Sequence, residues 1–154
     1  MANEAFFPIP AFYFTVSIED ASDVDAKFQE VSGLEAEMET EEVLVGGRNK
    51  QKFRLPVRTF YKNIVLKRGL MAEDSDLSHW LRSLLLEHSS MDQKIDKRSI
   101  NINLLGRNGD ELRSWNLENA WPVKWSLSNL QSQENALAIE TIELAFEDLK
   151  ETDT

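Results

Sequence analysis

The chain has 154 residues, 42% hydrophobic and 29% charged, which suits a single domain able to bury roughly 68–70% of its unfolded surface and excludes a disordered chain. It contains no cysteine, so thiolate nucleophiles, disulfide frameworks and Cys-ligated zinc are excluded. The 27 acidic residues against 17 basic ones leave a net charge of −10, which argues against specific nucleic-acid binding, because neutralising phosphates needs basic surface.

Residues 1–10 read as an extended lead-in, with Pro8 and Pro10 unable to join a sheet interior. Phe12, Phe14, Val16 and Ile18 then alternate with polar neighbours, the period-two signature of a strand with one apolar face. Further strands are expected over Phe28–Leu34 and Ala36–Val45, separated near Gly33. The run Gly46-Gly47-Arg48-Asn49 reads as a turn or loop, and Lys52–Leu55 as an extended stretch ended by Pro56. A strand from Phe60 to Lys67 follows, stopping at Arg68-Gly69.

One helix is expected. Asp74 and Ser75 are suitable N-caps, and Leu77, Trp80, Leu81, Leu84 and Leu85 recur at helical spacing. Phe14, Val16, Trp80, Leu81 and Leu84 are the leading core candidates. Ile100, Ile102 and Leu104 resume the strand period, and Asn108-Gly109 before Leu112–Leu117 marks a hairpin. Trp121–Trp125 is extended, with Pro122 placing it at an edge or bulge. Over Asn135–Phe146 the β-branched Ile139, Thr141 and Ile142 favour a strand over a helix. Glu147–Thr154 reads as a loose acidic tail. The whole predicts a mainly β single domain over 1–154, a β-barrel or two packed antiparallel sheets with one flanking helix.

Signatures of chemistry are sparse. Gly46-Gly47 precedes no Walker sequence. His79 and His88 stand nine residues apart, half a turn out of phase on a helix at about 100° per residue, so they share no metal within one subunit. No catalytic, cofactor or metal site is assigned, and the chain is not expected to be an enzyme. Glu37, Glu39 and Glu41 fall on one strand face about 6.5–7 Å apart, a spacing a hydrolase could use, although a solvated or partner-facing row is the plainer reading. The four tryptophans, Trp80, Trp115, Trp121 and Trp125, are candidates for a small-ligand platform or for core and interface anchors.

Charge is segregated along the chain. Six acidic residues and no basic one lie between Phe28 and Val45; eight basic residues and no acidic one lie between Val43 and Ala72. Either a hairpin neutralises itself across its strands or complementary blocks guide neighbouring subunits together. The assembly candidates are Glu37, Glu39, Glu41, Gly46, Gly47, Arg48, Asn49 and Lys50, with Arg48 and Lys50 placed to reach a neighbour from a loop tip.

Several blocks in order resemble one family: Phe12-Tyr13-Phe14-Thr15-Val16, Phe28–Glu35, the glutamate-rich strand closing on Gly46–Asn49, Arg54-Leu55-Pro56, Asn63–Gly69, Leu77–Leu81, Asn119–Trp125 and Ala138–Leu144. Together they are similar to the tail-tube proteins of contractile phages and phage-like extracellular contractile injection systems. Trp121 stands where tyrosine is common, and Ala145–Leu149 replaces a His-Glu-Gly ending. The resemblance implies homohexameric rings stacked into a hollow tube, with the Phe28–Leu34 and Ala36–Val45 strands and the adjoining Gly46–Asn49 loop matching the family's ring-building and stacking region. It also implies a sheath protein and baseplate or hub proteins as partners, lumenal cargo, and no cofactor. The chain would be made in the bacterial cytoplasm without a signal peptide and end in a phage tail or tail-like particle. Within that family the readings are an inner-tube subunit or a baseplate-proximal tube-initiator ring; outside it, a monomeric β-barrel binding module, and third a hydrolase using Glu37 with Glu39 or Glu41.

Overall fold

The computed structural model describes residues 13–21, 24–46, 51–70, 75–87, 95–128 and 138–152. In chain order these form β1 (Tyr13–Ile18), β2 (Val24–Phe28), β3 (Glu30–Ser32), β4 (Ala36–Val45), β5 (Gln51–Tyr61), β6 (Ile64–Gly69), α1 (Asp76–Leu85), β7 (Arg98–Leu105), β8 (Glu111–Leu127), β9 (Ile139–Ala145) and β10 (Asp148–Thr152). The mainly β expectation with one helix holds. The 1–10 lead-in lies outside the described residues.

All strand pairs are antiparallel, and the main sheet runs β2-β1-β7-β8-β9-β6-β3. Its two ends are one bent strand: β2 and β3 flank Gln29, β2 bonds β1, and β3 bonds β6. The order therefore returns to its start and the sheet curls into a barrel, which removes most open edges. β8, at 17 residues, spans both halves of the wall. Its first part pairs β7 and β10, its second part β9. It bends at Asn119, where φ is +51°, a left-handed value that asparagine tolerates.

The alternating residues of these strands fill the interior. Val16, Phe28, Ile64, Leu66, Ile100, Ile102, Leu117, Ile142 and Leu144 are fully buried, each stabilising the fold by about 1.5–3 kcal/mol relative to exposure. α1 covers one side of this core with Leu77, Trp80 and Leu81; Leu84 and Phe14 are half-buried against it. Ser75 caps the helix, its Oγ accepting from Ser78 N–H at 3.2 Å, and Trp80 Nε1 donates to the Asp96 carbonyl at 2.9 Å.

Four expectations need correction. Pro56 does not end the extended stretch: β5 continues to Tyr61, because a ribbon of only two strands leaves an outer edge where a missing N–H costs nothing. The Phe60–Lys67 strand is divided, with β5 ending at Tyr61 and β6 beginning at Ile64. Phe28–Leu34 is likewise bent at Gln29, and a strand at Val24–Phe28 precedes it. The tail at Asp148–Thr152 is a strand, β10, held to β8 by the ladder and by Lys150–Glu118 and Arg113–Glu151 ion pairs. Of the edge or bulge expected at Pro122, the structure has the bulge, with Val123 as the extra residue.

Candidate assembly surface

β4 and β5 form a two-stranded ribbon that, among the described residues, pairs with no other strand. At ~3.4 Å per residue it projects roughly 30 Å from the barrel. Directly opposed residues share a face of such a ribbon. One face carries Glu37 with Phe60, Glu39 with Arg58, Glu41 with Leu55 and Val43 with Phe53. The other carries Met38 with Thr59, Thr40 with Pro56, Glu42 with Arg54 and Leu44 with Lys52.

A bulge decides this arrangement. Glu39 opposes Arg58 but Thr40 opposes Pro56, leaving Val57 as an extra residue in β5. A one-residue slip exchanges the faces of everything beyond it. Phe53 and Leu55 are thereby brought to the side of Val43, while Arg54 and Lys52 go to the side of Glu42. Phe53, Leu55 and Val57 are 49%, 50% and 53% exposed, and Leu44 is 69% exposed. Exposed large apolar groups on a projecting ribbon are unusual on a free surface and make it the candidate interaction surface.

The charge blocks meet inside this ribbon and at its root. Arg58 Nε sits 2.7 Å from Glu39 Oε2, Arg54 3.9 Å from Glu42, Lys62 3.0 Å from Glu35 and Lys67 3.8 Å from Glu30. All are exposed pairs, each worth about 0–1 kcal/mol. Among the expected assembly residues, Glu37, Glu39 and Glu41 are exposed on one face, and Gly46 is exposed just beyond β4. Gly47, Arg48, Asn49 and Lys50 lie outside the described residues. Sequence reasoning overlooked Val43, Phe53 and Leu55; their apolar alternation across two highly charged strands was the available signal.

The other readings find little support in this geometry. Glu39 is held by Arg58, and the glutamate row stands on an open strand rather than in a water-excluding site. Trp80, Trp115 and Trp125 pack into or against the core, and Trp125 Nε1 donates to Glu140 at 2.9 Å. Trp121 lies under the Lys97 ammonium at 4.8 Å. His79 is exposed; among the described residues no group of acidic and histidine side chains is arranged to hold a metal, and no helix is long and apolar enough to cross a membrane.

The family model described as T4-like virus tail tube protein gp19 matches residues 10–150. The chain belongs to this tail-tube family. No curated protein matches it. Among solved structures it is similar to a chain of the sheath–tube complex of the extracellular contractile injection system PVC in the extended state, at 26% identity and TM-score 0.76, covering 97% of this chain and 95% of that one. A chain of the anti-feeding prophage (AFP) tube-terminating cap matches at 25% identity and TM-score 0.75, over 96% and 93%. A chain of the AFP baseplate, 6-fold symmetrised, matches at 26% and 0.72, over 95% and 96%. The chain is thus a structural tail-tube protein of the kind found in contractile injection systems.

Proposed function

We propose that the chain is the inner-tube subunit of a phage tail-like contractile particle, closing into six-membered rings that stack into a hollow tube. The observation that carries this reading is the β4–β5 ribbon, whose large apolar residues on both faces are exposed among the described residues. An isolated two-stranded ribbon is marginal in water, so neighbouring copies supply its missing contacts. β4 offers the better edge for them: its ten residues contain neither proline nor bulge, whereas β5 is interrupted at Pro56 and Val57. Sixfold closure is supported by the symmetry of the similar baseplate. A sheath outside the tube, baseplate or hub proteins at its end, and cargo within the lumen complete the reading, which places the protein in a tail-like particle.

The test is electron microscopy of the purified protein across concentrations, beside light scattering. Rings of six that stack into tubes are expected; monomer alone at high micromolar concentration, even with baseplate partners added, refutes the proposal. The likeness to the baseplate chain favours a second reading, a tube-initiator ring. That version forms single rings which do not propagate without a second tube protein.

A further inference from the structure

The ribbon is an outward continuation of the barrel wall. Ser32 opposes Val65 and Ala36 opposes Tyr61, so both strands advance by the same number of residues and register is kept. The ladder nevertheless stops between these pairs, over 33–35 on one strand and 62–63 on the other. Gly33 has φ +90°, and a Cβ there would lie 2.3 Å from the Asn63 carbonyl oxygen, so only glycine fits this crossing. The Glu35 N–H turns back to the Gly33 carbonyl at 2.8 Å. The exposed Lys62–Glu35 ion pair at 3.0 Å joins the two strands within this interval, but among the described residues no ladder pairing does, so a register-true ribbon bends most easily there.

Besides that ion pair, side chains at the base of the ribbon reach the C-terminal segment. The Tyr61 hydroxyl donates to Asp148 Oδ1 at 2.9 Å, and the same oxygen accepts from Leu149 N–H at 2.9 Å, which fixes the carboxylate's orientation. The Tyr61 ring lies 5.3 Å from that of Phe146. Asn63 Nδ2 donates to Glu143 at 3.0 Å. Tyr61 closes β5 and Asp148 opens β10, so the contact ties the base of the ribbon to the C-terminal strand.

We infer that the interval at 33–35 and 62–63 is a hinge, and that the Tyr61–Asp148 contact is the latch setting the ribbon's angle to the barrel, which makes Tyr61 a positioning residue for assembly. With Leu55 and Phe53 six and eight residues from Tyr61, roughly 20–27 Å from the hinge, a tilt of about 10° moves the apolar patch by about 4 Å, enough to miss a neighbour. Holding the ribbon in its docking pose also removes an ordering cost from association. The carboxylate beside the Tyr61 hydroxyl holds its pKa above the usual tyrosine value, as a donated hydrogen bond requires. The importance of the latch for assembly rests on the proposed role of the ribbon; its effect on the angle does not.

The absence of native cysteine permits clean labelling. Spin labels at Thr40→Cys on the ribbon and Lys124→Cys on the barrel report their separation by pulsed electron paramagnetic resonance in dilute, unassembled protein. A single narrow distance is expected in the parent, a broadened one in Tyr61→Phe, and a narrow one again in Asp148→Asn, which keeps an acceptor oxygen. Tyr61→Phe should raise the concentration needed for tube formation several-fold while leaving Tm nearly unchanged. A broad distribution in the parent, an unchanged one in Tyr61→Phe, or broadening in Asp148→Asn overturns the latch. Phe53→Asp separates the two ideas: normal tubes from that variant would remove the ribbon's assembly role, while the distance measurement still decides the hinge.

Discussion

Arg68 and Glu140 meet at 2.9 Å inside the barrel, 3% and 6% exposed. The pair is fully engaged: Trp125 donates to the other Glu140 oxygen at 2.9 Å, Arg68 reaches Ser78 at 3.4 Å, and its guanidinium lies 4.7 Å from the Phe28 ring centroid. β6, β9, β8, β2 and α1 therefore share one polar junction within an apolar core. Glu140→Leu strands the Arg68 charge and should cost about 3–5 kcal/mol. Arg68→Met with Glu140→Leu should recover much of it, since no unpaired charge is left buried, although the Trp125 N–H loses its acceptor. Denaturant melts of the two variants check this; equal losses would mean that the charges do not depend on each other.

The exposed ribbon predicts the opposite division between folding and assembly. Phe53→Asp and Leu55→Asp lie on solvent-facing positions, so monomer stability should change by only about 0.5 kcal/mol. Tube yield by microscopy should collapse. Loss of the monomer fold, seen by circular dichroism, would show that these residues serve the subunit itself.

Burial grades the helix. Leu81 is 3% exposed while Leu84 is half-buried. Leu81→Ala should cost about 2–5 kcal/mol, and Leu84→Ala less, because part of that side chain already meets water. Thermal unfolding of the two variants gives the order, and a larger loss at Leu84 would contradict this packing.

Acid should loosen the bend shared by β8 and the β9–β10 strand. Lys97 Nζ lies 2.6 Å from Glu147, and Asn119 Nδ2 donates to it at 2.8 Å, which together hold its pKa below the ordinary carboxylate value. A depressed carboxylate contributes stability above its unfolded pKa and loses it as pH falls through the folded one. The parent should therefore lose stability between the ordinary glutamate range and the lower folded value, and Glu147→Gln should lose less over that window. Melts across that interval, compared between the two proteins, decide it.

Much of the subunit is written locally. Alternation at Phe14–Ile18, Ile64–Leu66 and Ile100–Leu104 states which side of each strand is buried, because successive side chains point to opposite faces. Leu77, Trp80 and Leu81 state the helix in the same way, and Asn108-Gly109 states a hairpin turn. Of the two readings of the acidic and basic blocks, the self-neutralising hairpin is seen within the subunit, where Glu39 finds Arg58 and Glu42 finds Arg54 in one ribbon. The ordered blocks also carried the likeness to tail tubes.

Tertiary structure decided what no local period encodes. Val24–Phe28 places Asp25 and Lys27 in a strand because β1 lies beside it, and the acidic Asp148–Thr152 becomes a strand because β8 offers an edge. The extra residue at Val57 turns Phe53 and Leu55 toward Val43, a consequence of register rather than of composition. Which ribbon is left uncovered depends on where the barrel closes, and the Tyr61–Asp148 contact joins residues 87 positions apart. Burial periodicity is a property of one strand; register, closure and free edges belong to pairs of strands brought together from distant parts of the chain.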